Sequence, residues 1–293
     1  MKQINLIYWG GQNFGDALSP MLIEELSGIK VQPKSWDNSV FARYKRLFGN
    51  ICKLRLSELN NILWPSEPSL IAVGSVICWG NKRSQIWGSG FMNNHESFGG
   101  GTVHAVRGKL TSQKLVEMGQ PRCEIFGDPA LLLPLWIPAQ KEKKHKLGVI
   151  PHWKEADMFK ELVDDRCKFI DLRTTDVERI VKEICDCEYI LSSSLHGLIV
   201  AHAYGIPALW VKREHIGTDG FKFCDYFSSV DIPFYDGFEE LEEIFANEKA
   251  WMSLFETHWD KANSHVDISK LQDKLLEAFP FPLRSRYQKF IKN

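Results

Sequence analysis

Apolar and polar positions along the chain switch repeatedly between the two periods that mark strands and helices, and residues 187–211 show the switch most clearly. Tyr-Ile-Leu at 189–191 reads as a buried strand, the serines at 192–194 as a turn, and Leu195, Leu198, Ile199 and Val200 as the apolar side of a helix. Ser193 or Ser194 can cap that helix, Gly205 with Pro207 ends it, and residues 208–211 return to a strand. This is one strand–helix–strand unit, with His196 in the first helical turn at a strand's carboxyl end. Unpaired N–H groups and the positive end of the helix dipole favour an anion there, a phosphate above all. Taken alone, a histidine near a helix start is more often just a polar turn residue.

The same alternation runs through the rest of the chain. Residues 2–9 read as a first strand, 10–16 as a glycine-rich turn, and a helix follows from about 18 to 26. Asn13 and Asp16 either face a ligand over the sheet edge or shape the turn and cap the helix. Strands are expected at 69–76, 84–87 and 102–107; the last leads through a turn into a helix with Thr111 or Ser112 near its cap and Gly119 at its end. Arg107 therefore stands at a strand's carboxyl end, where its planar fork suits a carboxylate or phosphate. Residues 124–134 give a further strand and turn, with Asp128 either a helix cap ahead of Pro129 or an acceptor contact.

Prolines and charges without periodicity make 134–146 a linker. Beyond it a strand at 147–152 ends in His152, a candidate for acceptor contact or proton transfer. A helix at 157–163, a strand at 168–171 and a helix at 175–186, with Val177, Ile180, Val181 and Ile184 on one side, lead back to the unit at 187–211. Residues 212–226 read as a charged, glycine-bearing loop, followed by helices at 238–248 and 268–279. The tail mixes aromatics with cations and reads as a closing helix packed on the first half, with peripheral contact to an anionic membrane as the alternative. Arg43, Lys45, Arg46, Lys53 and Arg55 form a basic stretch, a solvated helix face or a surface for an acidic acceptor. The pattern as a whole predicts an α/β protein with two Rossmann-like domains, residues 1–140 and 147–293, facing a central cleft.

Composition narrows the function. A formal net charge of -1 argues against a nucleic-acid binder that works by bulk charge, so any anion site is local. The seven cysteines form no C-x-x-C pair, which suits reduced thiols better than disulfides or a metal site. The N-terminal apolar run is too short and interrupted for a signal peptide and no later run spans a membrane, so a cytoplasmic protein is expected.

Taken together, Asn13-Phe-Gly-Asp16, Ile86-Trp-Gly-Ser-Gly90, Ala105-Val-Arg107-Gly, Phe126-Gly-Asp-Pro-Ala130, Gly148-Val-Ile-Pro-His152, Ser192-Ser-Ser-Leu-His196-Gly and Phe221-Lys-Phe-Cys-Asp-Tyr226 resemble the polysaccharide pyruvyltransferase family. The resemblance covers most of the chain in order, and the serine-leucine-histidine stretch is its most specific part. It implies a GT-B-like fold and a transferase that uses phosphoenolpyruvate, with no other cofactor, to place a pyruvate ketal on a sugar of a cell-surface glycan. It further implies a glycan acceptor on a lipid carrier, met at the inner face of the cytoplasmic membrane. The family's donor-binding arginine and histidine match Arg107 and His196; its later lysine matches Lys222, with Lys212 in reserve. Ser193, Ser194, Leu195 and Gly197 accompany His196 as donor-binding residues, and Asn13, Asp16, His152 and Asp128 are assigned to the acceptor or cleft.

Phosphoenolpyruvate carries a carboxylate and a phosphate on adjacent atoms and calls for a bidentate cation, a second cation and a helix N-terminus in one cleft. His196 as imidazolium would protonate the methylene carbon while a sugar hydroxyl attacks. On this reading, His196→Ala and Arg107→Ala each lose transfer while folding normally. Two other readings stand beside it: a GT-B glycosyltransferase using a nucleotide sugar, with Asp219 and Asp225 as the acids open to its ribose, and a non-catalytic sugar-phosphate-binding protein.

Overall fold

The computed structural model describes residues 3–34, 68–139, 142–213 and 217–291; the basic stretch around Arg43 to Arg55 lies outside them. Nine strands form two wholly parallel sheets among these residues. The first sheet is built from β1 (Ile4–Leu6), β2 (Val31–Pro33), β3 (Ser69–Ile71), β4 (Ser84–Trp87) and β5 (Thr102–Ala105), in the order β2-β1-β3-β4-β5. The second is built from β6 (His145–Ile150), β7 (Cys167–Phe169), β8 (Cys187–Ser192) and β9 (Ala208–Trp210), in the order β7-β6-β8-β9. Each order reverses direction once, between β1 and β3 in one sheet and between β6 and β8 in the other. In open parallel sheets such a reversal splays the outgoing loops and leaves a crevice at the carboxyl ends of the strands.

The helices follow from the same alternation. They are α1 (Phe14–Ser27), α2 (Lys109–Glu117), α3 (Ala156–Leu162), α4 (Val177–Cys185), α5 (Leu195–Ala203), α6 (Phe221–Ser229), α7 (Glu248–Thr257) and α8 (Ile268–Glu277). Three elements depart from expectation. Helix α1 begins at Phe14 rather than near 18, which places Pro20 inside the helix and Asp16 in its first turn, because Phe14 itself is needed in the core. The expected loop at 212–226 contains most of α6, whose residues are buried on nearly every side and so show no amphipathic stripe. The expected helix at 238–248 is only the one-turn Leu241–Ile244, with the longer α7 following it.

The two sheets share one apolar cluster. Phe14, Leu18 and Leu22 of α1, Val177, Ile180 and Ile184 of α4, and Leu198 and Ile199 of α5 all belong to it. The segment just before the expected linker is part of this core: Pro129–Leu135 is a 3-10 helix with Leu131, Leu132 and Leu133 buried, and the half-buried Leu135, Trp136 and Ile137 at the linker's start pack against it. Helix α8 closes against the first sheet, where Trp87 Nε1 donates to Leu275 O at 2.8 Å and Phe279 meets the Trp87 ring edge-on at 4.7 Å. The tail continues back to α1, with Arg284 N donating to Leu26 O at 2.8 Å and Tyr287 donating to Glu25. Its aromatic Tyr287 is buried against the protein. Among the described residues no helix is long and apolar enough to cross a membrane.

Candidate functional site

The two crevices face one another and enclose a cavity of about 360 Å3. Its walls come from the segments that follow β1 and β3 (Tyr8, Trp9, Asn13, Gly74, Ser75) and those that follow β6 and β8 (His152, Trp153, Ser194, Leu195, His196), with Lys222 reaching in from α6. Residues brought together here lie far apart in the chain because both sheets present the carboxyl ends of their reversal strands to the same space.

His196 is positioned by close packing on three sides. Strand β8 ends at Ser192, whose hydroxyl accepts from Ser194 N at 3.0 Å and donates to Ile150 O at 2.7 Å. The serine turn therefore closes through Ser192; Ser194 occupies the cap position of α5 without a side-chain cap bond, and Ser193 Oγ accepts from His152 N at 2.8 Å instead. Gly197 lets α5 sit directly on the sheet, since a Cβ there would lie 2.3 Å from Ser192 Oγ. Across the cavity, Gly15 makes room for the imidazole: a Cβ at that position would lie 2.5 Å from His196 Nδ1. His196 Nε2 is shielded from solvent and, among the described residues, has no hydrogen-bond partner. Burial, then the charges of Lys222 and Arg107, push its pKa down to about 4. The ring in this state is neutral at pH 7, with an unsatisfied nitrogen that costs free energy until a ligand meets it.

Lys222 is buried, and among the described residues it has no ion-pair or hydrogen-bond partner; its ammonium lies 5.1 Å from the Phe223 ring centroid. Burial first, and then Arg107, pull its pKa down to about 8, against the opposing pull of Glu155. Lys212, the reserve choice, does not line the cavity. It is held by Asp236 at 2.8 Å and Glu239 at 3.0 Å.

Arg107 stands behind the wall rather than in it. It is fully buried, with Nε donating to Asp225 Oδ2 at 2.9 Å, Nη2 to Phe91 O at 2.6 Å and to the same carboxylate, and Nη1 to Ser75 Oγ at 2.5 Å. Four of the five guanidinium donors are thereby used within the protein. Its direct reach to the cavity is relayed by Ser75, which does line it. Asp225 also accepts from Thr111 N at 2.7 Å and Thr111 Oγ1 at 2.8 Å, so this carboxylate ties α6 to the start of α2. Because Lys222 precedes Asp225 by one helical turn, the same tie aims the lysine into the cavity.

Of the remaining expected residues, Asn13, Asp16 and His152 line the cavity and Asp128 does not. Asp128 is a cap: its Oδ1 accepts from Ala130 N at 2.9 Å, as the Asp-Pro start of a helix favours. Burial raises the Asp16 pKa to about 7, against an opposing hydrogen bond from Asn13, and lowers that of His152 to about 4 with help from Lys222 and Lys154. Sequence reasoning missed Ser75, Trp9 and Trp153; the two tryptophans flank residues it did single out, and Trp9 following a short buried strand was the available signal. Among the described residues no three His, Cys, Asp or Glu side chains converge in a way that would hold a metal ion.

The arrangement can hold a small dianion: a lysine ammonium, a histidine nitrogen in want of a partner and the N-terminus of α5 meet in one hollow. The chain is 34% identical over 176 residues to an uncharacterized protein of Acanthamoeba polyphaga mimivirus, covering 57% of this chain and 61% of that protein. It is 24% identical over 234 residues to the succinoglycan biosynthesis protein ExoV of Rhizobium meliloti (strain 1021), covering 78% of this chain and 65% of that protein. The chain thus spans somewhat under two thirds of the length of both curated relatives. The model of the polysaccharide pyruvyl transferase family matches residues 13–215, from the cap of α1 through β9, and the chain belongs to that family.

Proposed function

We propose that the protein transfers the enolpyruvyl group of phosphoenolpyruvate to a sugar of a cell-surface polysaccharide, or of its lipid-linked precursor, and closes a pyruvate ketal. We read the chain as two Rossmann-like domains in a GT-B-like arrangement, 1–140 and 147–293, working in the cytoplasm at the inner membrane face with no cofactor beyond the donor. The observation that carries this reading is the convergence of His196 and Lys222 on one cavity, with Arg107 one hydroxyl behind. A cavity of this size suits a small ligand held by a few convergent polar groups.

The donor phosphate and carboxylate take the Lys222 ammonium, the α5 N-terminus with Ser194, and His196. Their negative charge reverses the effect of Lys222 and Arg107 on the imidazole and favours its protonated form, so the donor primes its own acid. His196 then protonates the methylene carbon as a first sugar hydroxyl bonds to the adjacent carbon; a second hydroxyl displaces phosphate. Over the cycle the two hydroxyl protons end on the new methyl group and on the phosphate. The nucleotide-sugar reading loses its candidate ribose acids: Asp225 is bound to Arg107 and Thr111, and Asp219 accepts from Asn94 N at 2.8 Å and Phe221 N at 3.1 Å.

Thermal shift tests the donor. Phosphoenolpyruvate at 100 times its Kd is expected to stabilise the fold by about 2.7 kcal/mol, and stabilisation by nucleotide sugars alone would overturn the reading. Tight phosphoenolpyruvate binding without phosphate release in the presence of any glycan would favour a sensor instead. Donor affinity is expected to depend on pH through Lys222. Its pKa of about 8 in the empty site rises when an anion binds, so affinity is full below that value and falls as pH climbs through it. Lys222→Met should weaken binding and flatten the profile, as read by titration calorimetry from pH 7 to 9.5. A parallel expectation concerns Gly15→Ala: the added methyl displaces the His196 ring, and transfer should fall by about 100-fold while the protein still folds, the gain in helix propensity offsetting part of the cost of moving the packed ring.

A further inference from the structure

A second hollow of about 320 Å3 opens beside the main cavity, lined by Trp9, Gly11, Gln12, Asn13, Asp16, Trp153 and Arg173. Trp9, Asn13, Asp16 and Trp153 line both, so the two hollows are neighbours across a shared wall that includes Asp16. The inner hollow carries the cations. The outer hollow differs in character: Trp9 is 52% exposed, and its ring meets that of Trp153 edge-on with centroids 5.9 Å apart. Large exposed indole surfaces in a concave setting mark a binding surface. Arg173, the cation in its lining among the described residues, is held by Asp171 at 2.7 Å and Asp157 at 2.9 Å, which offsets its charge, while the exposed Lys154 holds its ammonium 5.4 Å from the Trp153 ring centroid. An aromatic hollow with two amides, a carboxylate and a neutralised guanidinium suits a ligand with apolar C–H faces and many hydroxyls.

Asp16 occupies that wall in a defined way. It lies in the first turn of α1, and a Cβ on Gly11 would press on its Oδ2 at 3.1 Å, so glycine there keeps the carboxylate accessible. Burial, which raises its pKa to about 7, suits a group that must take up and release a proton near neutral pH.

We propose that the outer hollow is the acceptor subsite for a hexopyranose bearing a free diol, with Trp9 and Trp153 packing on the sugar ring and Asp16 accepting the proton of the attacking hydroxyl. This rests on the pyruvyl-transfer reading and adds to it the place of the acceptor and the identity of the base. In the step, the hydroxyl O–H bond breaks and its proton passes to the Asp16 carboxylate. The oxygen pair forms the new C–O bond at the donor carbon next to the carboxylate, whose methylene neighbour takes the proton of His196. Asp16 later returns its proton to the imidazole, and the second hydroxyl's proton leaves with the phosphate.

Saturation-transfer NMR of the full chain with methyl glycosides of galactose, glucose, mannose and N-acetylmannosamine tests the subsite. The wild-type protein is expected to bind at least one of them, and Trp9→Ala, at an exposed position that folding does not need, should weaken that binding by about tenfold. The Trp9→Ala/Trp153→Ala double variant should abolish it, while phosphoenolpyruvate, held by Lys222 and the α5 N-terminus, still gives a thermal shift. Asp16→Asn, which keeps the shape, should bind both ligands yet lose phosphate release, with residual activity that no longer rises with pH. Unchanged pyranoside binding in both tryptophan variants, no pyranoside binding to wild type, or full turnover by Asp16→Asn would overturn the proposal. Tryptophan-dependent sugar binding without any response to phosphoenolpyruvate would sink the donor assignment and leave the subsite standing; the reverse result would sink the subsite alone.

Discussion

His196→Ala is expected to lower pyruvyl transfer by about 1,000-fold, the scale of a removed general acid, while the protein folds as before. The imidazole nitrogen Nε2 satisfies nothing among the described residues, and the ring borders a cavity, so its removal leaves no buried group stranded among them. Loss of the buried, unpartnered nitrogen removes a cost of folding rather than a contribution. Urea unfolding should therefore give a midpoint equal to or above that of wild type, and phosphoenolpyruvate should still bind through Lys222, more weakly. Two results would count against the assignment: wild-type turnover in the variant, or a collapse of stability that shows the ring to be a packing element. His196→Gln, which restores a polar group without an acid of suitable strength, should bind donor better than the alanine variant and remain inactive.

Arg107→Ala is expected to do something different, and here the structure overturns the expectation that it folds normally. The guanidinium and its Asp225 partner are both wholly buried. Removing one partner of such a pair leaves an uncompensated charge and typically costs about 3–5 kcal/mol, a large share of the total stability of a domain. Burial, ahead of the opposing pull of Arg107 and Thr111, holds the Asp225 carboxyl above its usual pKa range. The expected result is an unfolding midpoint far below wild type, or an insoluble protein, together with loss of donor binding because α6 no longer holds Lys222 in place. An apolar replacement of both, Arg107→Met with Asp225→Leu, should recover most of the stability and none of the transfer. A soluble Arg107→Ala protein with wild-type stability and no donor binding would show instead that the arginine contacts the donor directly.

These two expectations show how unevenly the sequence reveals the site. The unit containing His196 was legible almost to the residue: a strand expected at 189–191 lies within Cys187–Ser192, and the helix and second strand are Leu195–Ala203 and Ala208–Trp210. Its signals are local, since an apolar run, a turn and a glycine stop all act within a few residues of each other. Helix α6 was not legible, because a helix buried all round has no polar face to set its period apart from a hydrophobic, glycine-flanked loop. Ser193 and Ser194 were reasonable caps by position, yet it is the Ser192 hydroxyl that closes the turn, within reach of Ile150 O, Ser194 O and Ser194 N.

Arg107 and Lys222 carry the lesson furthest. From the chain alone, both are cations near the ends of regular elements, and the arginine is the better anion ligand by its geometry. What turns it inward is Asp225, 118 positions away, whose buried carboxylate pairs with no other cation among the described residues; what leaves Lys222 facing the cavity is its place one turn earlier on the same helix. Alternating apolar periods and punctuating glycines determined by themselves that this is an α/β chain, with His196, His152 and Asn13 carried on segments leaving strand ends. Which of its charged groups meet a ligand and which meet each other was decided only by the tertiary structure. A buried charge selects its partner by distance in space, and that distance is set by how two sheets pack and not by any local run of residues.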